Sequence, residues 1–417
     1  MHLFRLAFRN LSRNRLRTSV SVLAIALAVA IVVFAKGFID GMIDTFLDNT
    51  IRLTTGHVRV VQAEYAKKER LLPLTCPVDG LEGEGAEALA RRLAKLPGVA
   101  VATPRIRFKA MVSHGEEPEG VLGMGMDFAR EEQVAHLSRY LRDGRFPEKG
   151  NELLVGQRLL NKLGLKVGSK VTLVANTSFG SLKGRTFTVV GSLVSGLAQL
   201  DESTVFLSLR AAQSLVELDQ AATEIILQAK RPTQVAQVAA AAASLVRGGD
   251  PEGRYAVTPW YEANAMAGLM SNIRHVYSLI YFLIVLFASI VVINTMLMIV
   301  NERTREIGML SALGFTGRRI VALFVLEGAA LGLVGSTIGA ILGAAVTRTL
   351  SVTGLDFAKV MENYAKELLF PSTIYPTFSL SIVVFAFVLG ILVPAAGSYF
   401  PARRAQKLDP STALRAI

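Results

Sequence analysis

The chain has 417 residues, 51% hydrophobic and only 19% charged, with a mean hydropathy of +0.42. Such a composition excludes disorder, a collagen-like fibre and a disulfide scaffold, and it points to a membrane protein; the lone cysteine, Cys76, leaves no disulfide and no CxxC redox pair. The formal charge of +12 fits nucleic acid, an acidic membrane surface or topogenic charges beside membrane spans, and only the positions of the charges can choose.

In chain order, a basic tail over 1–17 carries Arg5, Arg9, Arg13, Arg15 and Arg17 and no acid, and precedes the uncharged run 18–35. A span needs roughly 20 apolar residues to cross about 30 Å of hydrocarbon, so 18–36 is read as the first transmembrane helix. A cleaved signal peptide is the rival, given Ala28 and Ala30 in an A-x-A pattern. The long Arg-rich lead and the apolar sequence continuing to Ala35 favour a retained anchor. Phe34, Phe38, Met42 and Phe46 recur every four residues past that span, which predicts a helix projecting outward to about 50 as a stalk.

Residues 51–265 read as a soluble domain, since the insertion 36–275 holds 29 basic and 26 acidic residues. Alternating β-type runs fall at 57–62, 99–108, 152–155, 170–175, 185–190, 204–207 and 224–229, with helical patterns at 87–96, 157–163, 210–218 and 233–246. A mixed α+β domain follows, in two subdomains with a β-rich part over about 150–210. Segment 266–300 reads as a returning stalk and second span, with Ile273 and Tyr277 on an apolar strip facing the one formed by Phe38, Met42 and Phe46.

The loop 301–319 reads as a short amphipathic helix. Glu302, Arg303, Arg305 and Glu306 form its charged face, Ile307, Leu310 and Leu313 its apolar face, and Gly314 its small-residue end. Such a helix offers anchors for a groove on a soluble partner; the alternative is that Arg303 and Arg305 are retention charges only. The third span, 320–347, carries Gly328, Gly332, Gly335, Gly339 and Gly343 along one side, a small-xxx-small stripe for close helix packing. Glu327 lies about 10 Å inside it by helix rise. With no second intramembrane acid beside it, a structural hydrogen bond is favoured over proton coupling. A short loop, 348–375, leads to a fourth span at 376–400 and a basic tail at 401–417.

The fold class is therefore a membrane protein with four transmembrane helices and a large mixed α+β extracytoplasmic domain inserted between helices 1 and 2. The two tails and the 301–319 loop hold ten of the twelve net positive charges. By the positive-inside rule both termini are cytoplasmic, and a nucleic-acid partner is not expected. No enzymatic signature appears. The nearest approach to a phosphate-binding loop, GLKVGSK at 164–170, has Ser169 where lysine is needed. HExxH and GxSxG are absent and the five histidines are scattered, so no catalytic residue, metal site or bound cofactor is expected.

Four stretches carry a resemblance: LFRLAFRNLSRNRLRTSVSVLAIALAVA at 3–30, ERTREIGMLSALG at 302–314, LEGAALGLVGSTIGAILG at 326–343 and YFPARRAQKLDPSTALR at 399–415. On these the chain resembles the permeases of the MacB and LolC/LolE superfamily of ABC transporters, which includes FtsX. The resemblance implies a bacterial inner-membrane protein in which two permease copies, identical or related, pair with two ATPase subunits that bind ATP and magnesium. The 301–319 loop would be the coupling helix, touching the ATPase through Glu302, Arg303, Arg305, Glu306, Ile307, Gly308 and Gly314. ATP hydrolysis would then move the stalk and outer domain by mechanotransmission. The lack of a fused nucleotide-binding domain in the 417 residues and the GHVRV at 56–60 look more like the lipoprotein-releasing branch. There the surface of Phe38, Met42, Phe46, Ile273 and Tyr277 would hold acyl chains from membrane lipid and pass a lipoprotein to a periplasmic carrier. MacB-like efflux of drugs or peptides through an adaptor, and FtsX-like signalling to a cell-wall hydrolase, are the alternatives.

Overall fold

The computed structural model describes residues 15–113, 118–250, 252–263, 316–356 and 373–405, with scattered positions between 276 and 309. The chain divides into two compact units, one built around Thr45–Ser271 and the other around Met1–Asp44, Asn272–Phe357 and Thr373–Ile417.

The second of these units is helical. Its long elements are the first helix, Arg15–Thr50, as far as Asp44, the glycine-rich helix, Gly317–Thr353, and the last helix, Leu380–Ala405. Among the described residues, three helices are long and apolar enough to cross a membrane. The sequence predicts four spans. The second of them, 276–300, is described only at scattered positions, and each of those is helical. In hydrocarbon every backbone amide has to be satisfied within its own segment, which is why Val- and Ile-rich stretches that favour strands in water are helices here. Pro394 interrupts the backbone pattern of the last helix, and Ser398 Oγ donates to its carbonyl at 2.7 Å.

The glycine stripe divides between two neighbours. A Cβ at Gly335 would stand 2.7 Å from Ile25 Cβ, and one at Gly343 2.9 Å from Val33 Cβ, while Gly339 abuts the Ala26 carbonyl, all on the first helix. Gly328 and Gly332 instead meet the last helix, where a Cβ at Gly332 would stand 2.7 Å from the Gly390 carbonyl oxygen. The stripe thus lets one helix press against two others within the same chain. Ile25, Val29, Val33, Leu331 and Ala386 fill the space between them. Glu327 is buried in this bundle, next to Gly328.

The unit around Thr45–Ser271, called the outer unit after the position expected from the sequence, is a sheet covered by short helices. Its strands are β1 (Val58–Gln62), β2 (Val99–Ser113), β3 (Pro118–Met126), β4 (Leu141–Gly144), β5 (Glu152–Gly156), β6 (Lys170–Asn176), β7 (Leu182–Leu193), β8 (Thr204–Ser208), β9 (Glu224–Ala229) and β10 (Tyr255–Pro259). They run in the order β10-β1-β9-β2-β3-β8-β5-β7-β4, with β6 bridging β2 and β7. Three strands escape the sequence patterns. β3 contains Gly120, Gly123 and Gly125, and the last two are bare so that the Phe108 ring and Ala212 can press on them; β4 and β10 are short edge strands. The two expected subdomains share one continuous sheet, because β2 is long enough to serve both. Val99 and Ala102 at its start belong to a cluster with Leu89, Leu93 and Val238, and Ile106, Phe108, Ala110 and Val112 at its end belong to another with Leu153, Phe187 and Leu215. Each such fully buried side chain contributes about 1.5–3 kcal/mol.

Two measurements test this packing. Gly339→Val is expected to destabilise the detergent-purified chain by about 1–3 kcal/mol through overpacking, while Gly248→Ala, helical and with nothing within 4 Å of the added carbon, keeps or slightly raises the melting temperature. In the outer unit the Arg145 guanidinium donates to both oxygens of Glu152 at 2.7 and 2.9 Å, and the amides of Glu148 and Lys149 donate at 2.9 and 3.1 Å. The Arg145 contact above all, helped by those amides, holds the Glu152 carboxyl down to about 2 from 4.5. A depressed carboxylate stabilises the folded state above its unfolded pKa and loses that contribution as pH falls through the folded value. The melting-temperature gap between wild type and Glu152→Gln should be full above pH 4.5 and close as the pH approaches 2.

Candidate functional site

Within the unit around Thr45–Ser271, a buried arginine caps the end of the helical segment that enters it. The helix finishes at Thr50 in a π-helical turn, Ile51–Thr55, before Gly56 turns the chain into β1. Gly56 has φ +65°, and a Cβ there would stand 2.9 Å from Ile226 Cβ, so glycine is required at this turn. Arg105 on β2 is 1% exposed. Its Nε and Nη2 donate to Glu131 Oε1 and Oε2 at 2.7 and 2.6 Å. The remaining donors reach the carbonyls of Arg52 at 3.0 Å, Leu53 at 3.3 Å and Thr54 at 3.0 Å. One guanidinium therefore caps the terminal carbonyls of the helical stalk, where the helix dipole is negative, and pairs with a buried carboxylate. Burial opposes the Arg105 charge, and the Glu131 carboxylate outweighs it, so its pKa stands above the ordinary value.

Glu131 is placed by the helix Phe128–Ala135, whose first turn is capped by Asp127 accepting from the amides of Ala129 and Arg130 at 3.0 and 3.3 Å. Further ties surround the clamp. Arg52 donates to Asp48 at 2.7 and 2.8 Å and to the Val134 carbonyl at 3.3 Å. Asn49 donates to the Ser195 carbonyl at 3.3 Å and accepts from Tyr140 Oη at 2.8 Å. Ser195 Oγ in turn donates to Asp201 at 2.7 Å, and burial raises the Asp201 carboxyl in spite of that donor. Behind β1, Arg59 donates to both oxygens of Glu69 at 2.5 and 2.8 Å. His57 Nδ1 accepts from the Ala229 amide at 3.2 Å, and burial lowers its pKa, which suits a neutral acceptor.

The helical unit has a cleft of its own beside residues 36–44 of the first helix. Gly37 and Gly41 lie against the segment 375–377, with a Cβ at Gly37 2.9 Å from the Thr377 carbonyl oxygen and one at Gly41 2.7 Å from Pro376 Cα. The Thr377 amide donates to the Gly37 carbonyl at 2.8 Å. Beside this contact opens a cleft of about 460 Å³ lined by Lys36, Ile39, Asp40, Ile43, Asp44, Tyr277, Thr377 and Ser379 among others.

The residues singled out from sequence distribute as follows. Tyr277 lines the cleft, whereas Phe38 and Met42 are half-buried on another side of the first helix, Phe38 stacked on Phe34 with ring centroids 5.9 Å apart. Phe46 packs into the outer unit with Leu53, Met124 and Ile226. The strip of Phe38, Met42 and Phe46 is thus not one uniform surface. Ile273 and the coupling-helix residues Glu302, Arg303, Arg305, Glu306, Ile307, Gly308 and Gly314 lie outside the described residues. Sequence reasoning missed the Arg105 clamp, although arginine at two core-side positions of an apolar strand was the available signal. It also missed the tip of the β6–β7 hairpin, where Phe179 and Leu182 are 83% and 74% exposed; an aromatic among the turn residues TSFGS was the clue there.

Breaking the clamp on one side should cost about 3–5 kcal/mol, since it strands a buried charge. Denaturant melts of Arg105→Met, Glu131→Met and the combined Arg105→Met/Glu131→Met variant are expected to show both single variants strongly destabilised and the combined one losing less than their sum; additive losses would refute the pairing.

Sequence comparisons agree with this architecture. A family profile described as the MacB-like periplasmic core domain matches residues 18–245, and one described as FtsX-like permease C-terminal matches 278–410. The chain is 25% identical over 337 residues to the lipoprotein-releasing system transmembrane protein LolC of Xylella fastidiosa (strain 9a5c), covering 76% of this chain and 78% of that one. It is 24% identical over 344 residues to the corresponding LolE of Haemophilus influenzae, covering 78% and 80%. Against the macrolide export ATP-binding/permease protein MacB of Pasteurella multocida it is 34% identical over 137 residues, 33% of this chain and 18% of that one. With a MacB-like periplasmic core followed by an FtsX-like permease segment, the chain belongs to the ABC transporter permeases of the MacB, FtsX and LolC/LolE family.

Proposed function

We propose that this permease works in an ATP-driven complex that extracts lipoproteins from the outer leaflet of the bacterial inner membrane for transfer toward the outer membrane. The similarity to LolC and LolE proteins, spread over three quarters of the chain, is the observation that carries this reading. In it both termini are cytoplasmic, two permeases pair with two ATPase subunits, and the 301–319 loop contacts the ATPase. The chain itself contributes no catalytic group. ATP and magnesium belong to the partner.

Arg105 gives the mechanotransmission mode a physical route. A push or turn of the helical stalk acts on the carbonyls of residues 52–54, which share one guanidinium with β2 and with Glu131. Acyl chains would lie along the half-buried Phe38 and Met42 on the side of the first helix away from the cleft, and the exposed Phe179 and Leu182 suit docking of a periplasmic carrier. MacB-like efflux is the second reading, favoured by the periplasmic-core match.

Native mass spectrometry of the complex drawn from bacterial membranes in mild detergent tests the choice. The expected result is an ATPase subunit together with a bound acylated protein. An ATPase with a periplasmic adaptor and no acyl cargo would replace release by efflux, and no ATPase at all would overturn both.

A further inference from the structure

We propose that the cleft at the outer end of the first helix binds the zwitterionic headgroup of an aminophospholipid, phosphate inward and ammonium outward. The inference uses the topology of the proposed function, with the stalk outside the membrane, but not the identity of the cargo.

Depth comes first. The uncharged run 18–35 rises about 27 Å as a helix, against about 30 Å of hydrocarbon. Lys36, the next residue, therefore stands at the edge of the hydrocarbon. Asp40 and Asp44 follow on the same side, each about 6 Å further out. The cleft they line thus lies at the level of the lipid headgroups.

The order of charges along that line is the order within the ligand. An outer-leaflet aminophospholipid presents its phosphate next to the acyl chains and its ammonium beyond. Lys36, innermost, suits the phosphate; Asp40 and Asp44, outermost, suit the ammonium. The Lys36 ammonium stands 3.0 Å from Asp40, and Thr377 Oγ1 donates to Asp44 at 3.3 Å, so the groups are already gathered into one polar wall. Among the described lining residues, two carboxylates against one ammonium give a net negative charge, which disfavours a purely anionic headgroup and favours one with its own cation. The hydroxyls of Tyr277 and Ser379 add donors for phosphate oxygens, and Ile39 and Ile43 line the cleft where glycerol and the first methylenes would lie. The volume of about 460 Å³ is within the range of small-ligand sites.

The tight approach at Gly37 and Gly41 explains why the cleft has a fixed wall. Bare glycines let the segment 375–377 lie on the helix, and the amide bond from Thr377 to Gly37 holds it there. Thr377 and Ser379 are thereby presented to the same space as the acidic residues.

The test uses the full chain, delipidated in detergent and then exchanged into nanodiscs with equal amounts of phosphatidylethanolamine and phosphatidylglycerol. After re-extraction, tightly held lipid is counted by mass spectrometry. Wild type is expected to retain phosphatidylethanolamine about tenfold over phosphatidylglycerol, as one charge-assisted contact provides, and the Asp40→Asn/Asp44→Asn variant to fall to the bulk ratio. No preference, or a preference for phosphatidylglycerol, would overturn the proposal. Should that variant not fold, wild-type melting curves with glycerophosphoethanolamine, glycerophosphoglycerol and inorganic phosphate decide. Stabilisation by the first alone supports a headgroup site, whereas equal stabilisation by inorganic phosphate marks a plain anion site and refutes it. Neither readout depends on the ATPase or on a lipoprotein, so failure here leaves the proposed function to its own experiment.

Discussion

A guanidinium buried in a protein has five N–H donors to satisfy, and at Arg105 the end of a helix and one carboxylate satisfy all of them. The helix end has the complementary need, because its last carbonyls find no amide in the next turn. Each deficiency answers the other. The π-helical turn at Ile51–Thr55 brings three successive carbonyls to one cation, and such turns recur where helices perform mechanical or binding work. Because Arg105 sits opposite Glu224 of β9 and Met126 of β3, the load falls on the middle of the sheet and not on an edge. Residues 52–54 and the sheet are therefore tied together inside one compact unit.

The two units achieve cohesion by different physics. In the outer unit, apolar side chains leave water, and clusters on the faces of one sheet supply most of the stability. Lipid offers the helical unit no comparable gain, since hydrocarbon chains solvate Leu and Val as well as another helix does. Close backbone approach replaces it, and the glycines at 328, 332, 335, 339 and 343 provide that approach to two partners at once. Glu327 is tolerated because it is buried among these helices and shielded from the acyl chains.

Family membership and geometry contribute different things to the functional reading. The relatives indicate an ABC permease and lean toward lipoprotein release. The geometry supplies a buried arginine that ties residues 52–54 to the sheet, an exposed apolar hairpin tip and a cleft of about 460 Å³ beside the first helix.

Much of this was legible in the order of residues alone. Uncharged runs mark the spans because bilayer thickness is a fixed length. Alternation marked seven of the outer strands, and the ERTREIG and ARRAQKLDP motifs carried the family. Strands such as β3 escaped because their glycines answer to Phe108 and Ala212, which lie elsewhere in the chain. The assignment of glycines to two different helices, the departure of Phe46 from its apolar strip and the meeting of residues 36–44 with 377 and 379 were likewise undetermined by local pattern. Local periodicity decides which face of an element is apolar. Only the folded chain decided that Arg105 should meet residues 52–54 and Glu131, because a buried charge is stable solely where distant segments bring enough acceptors to one point.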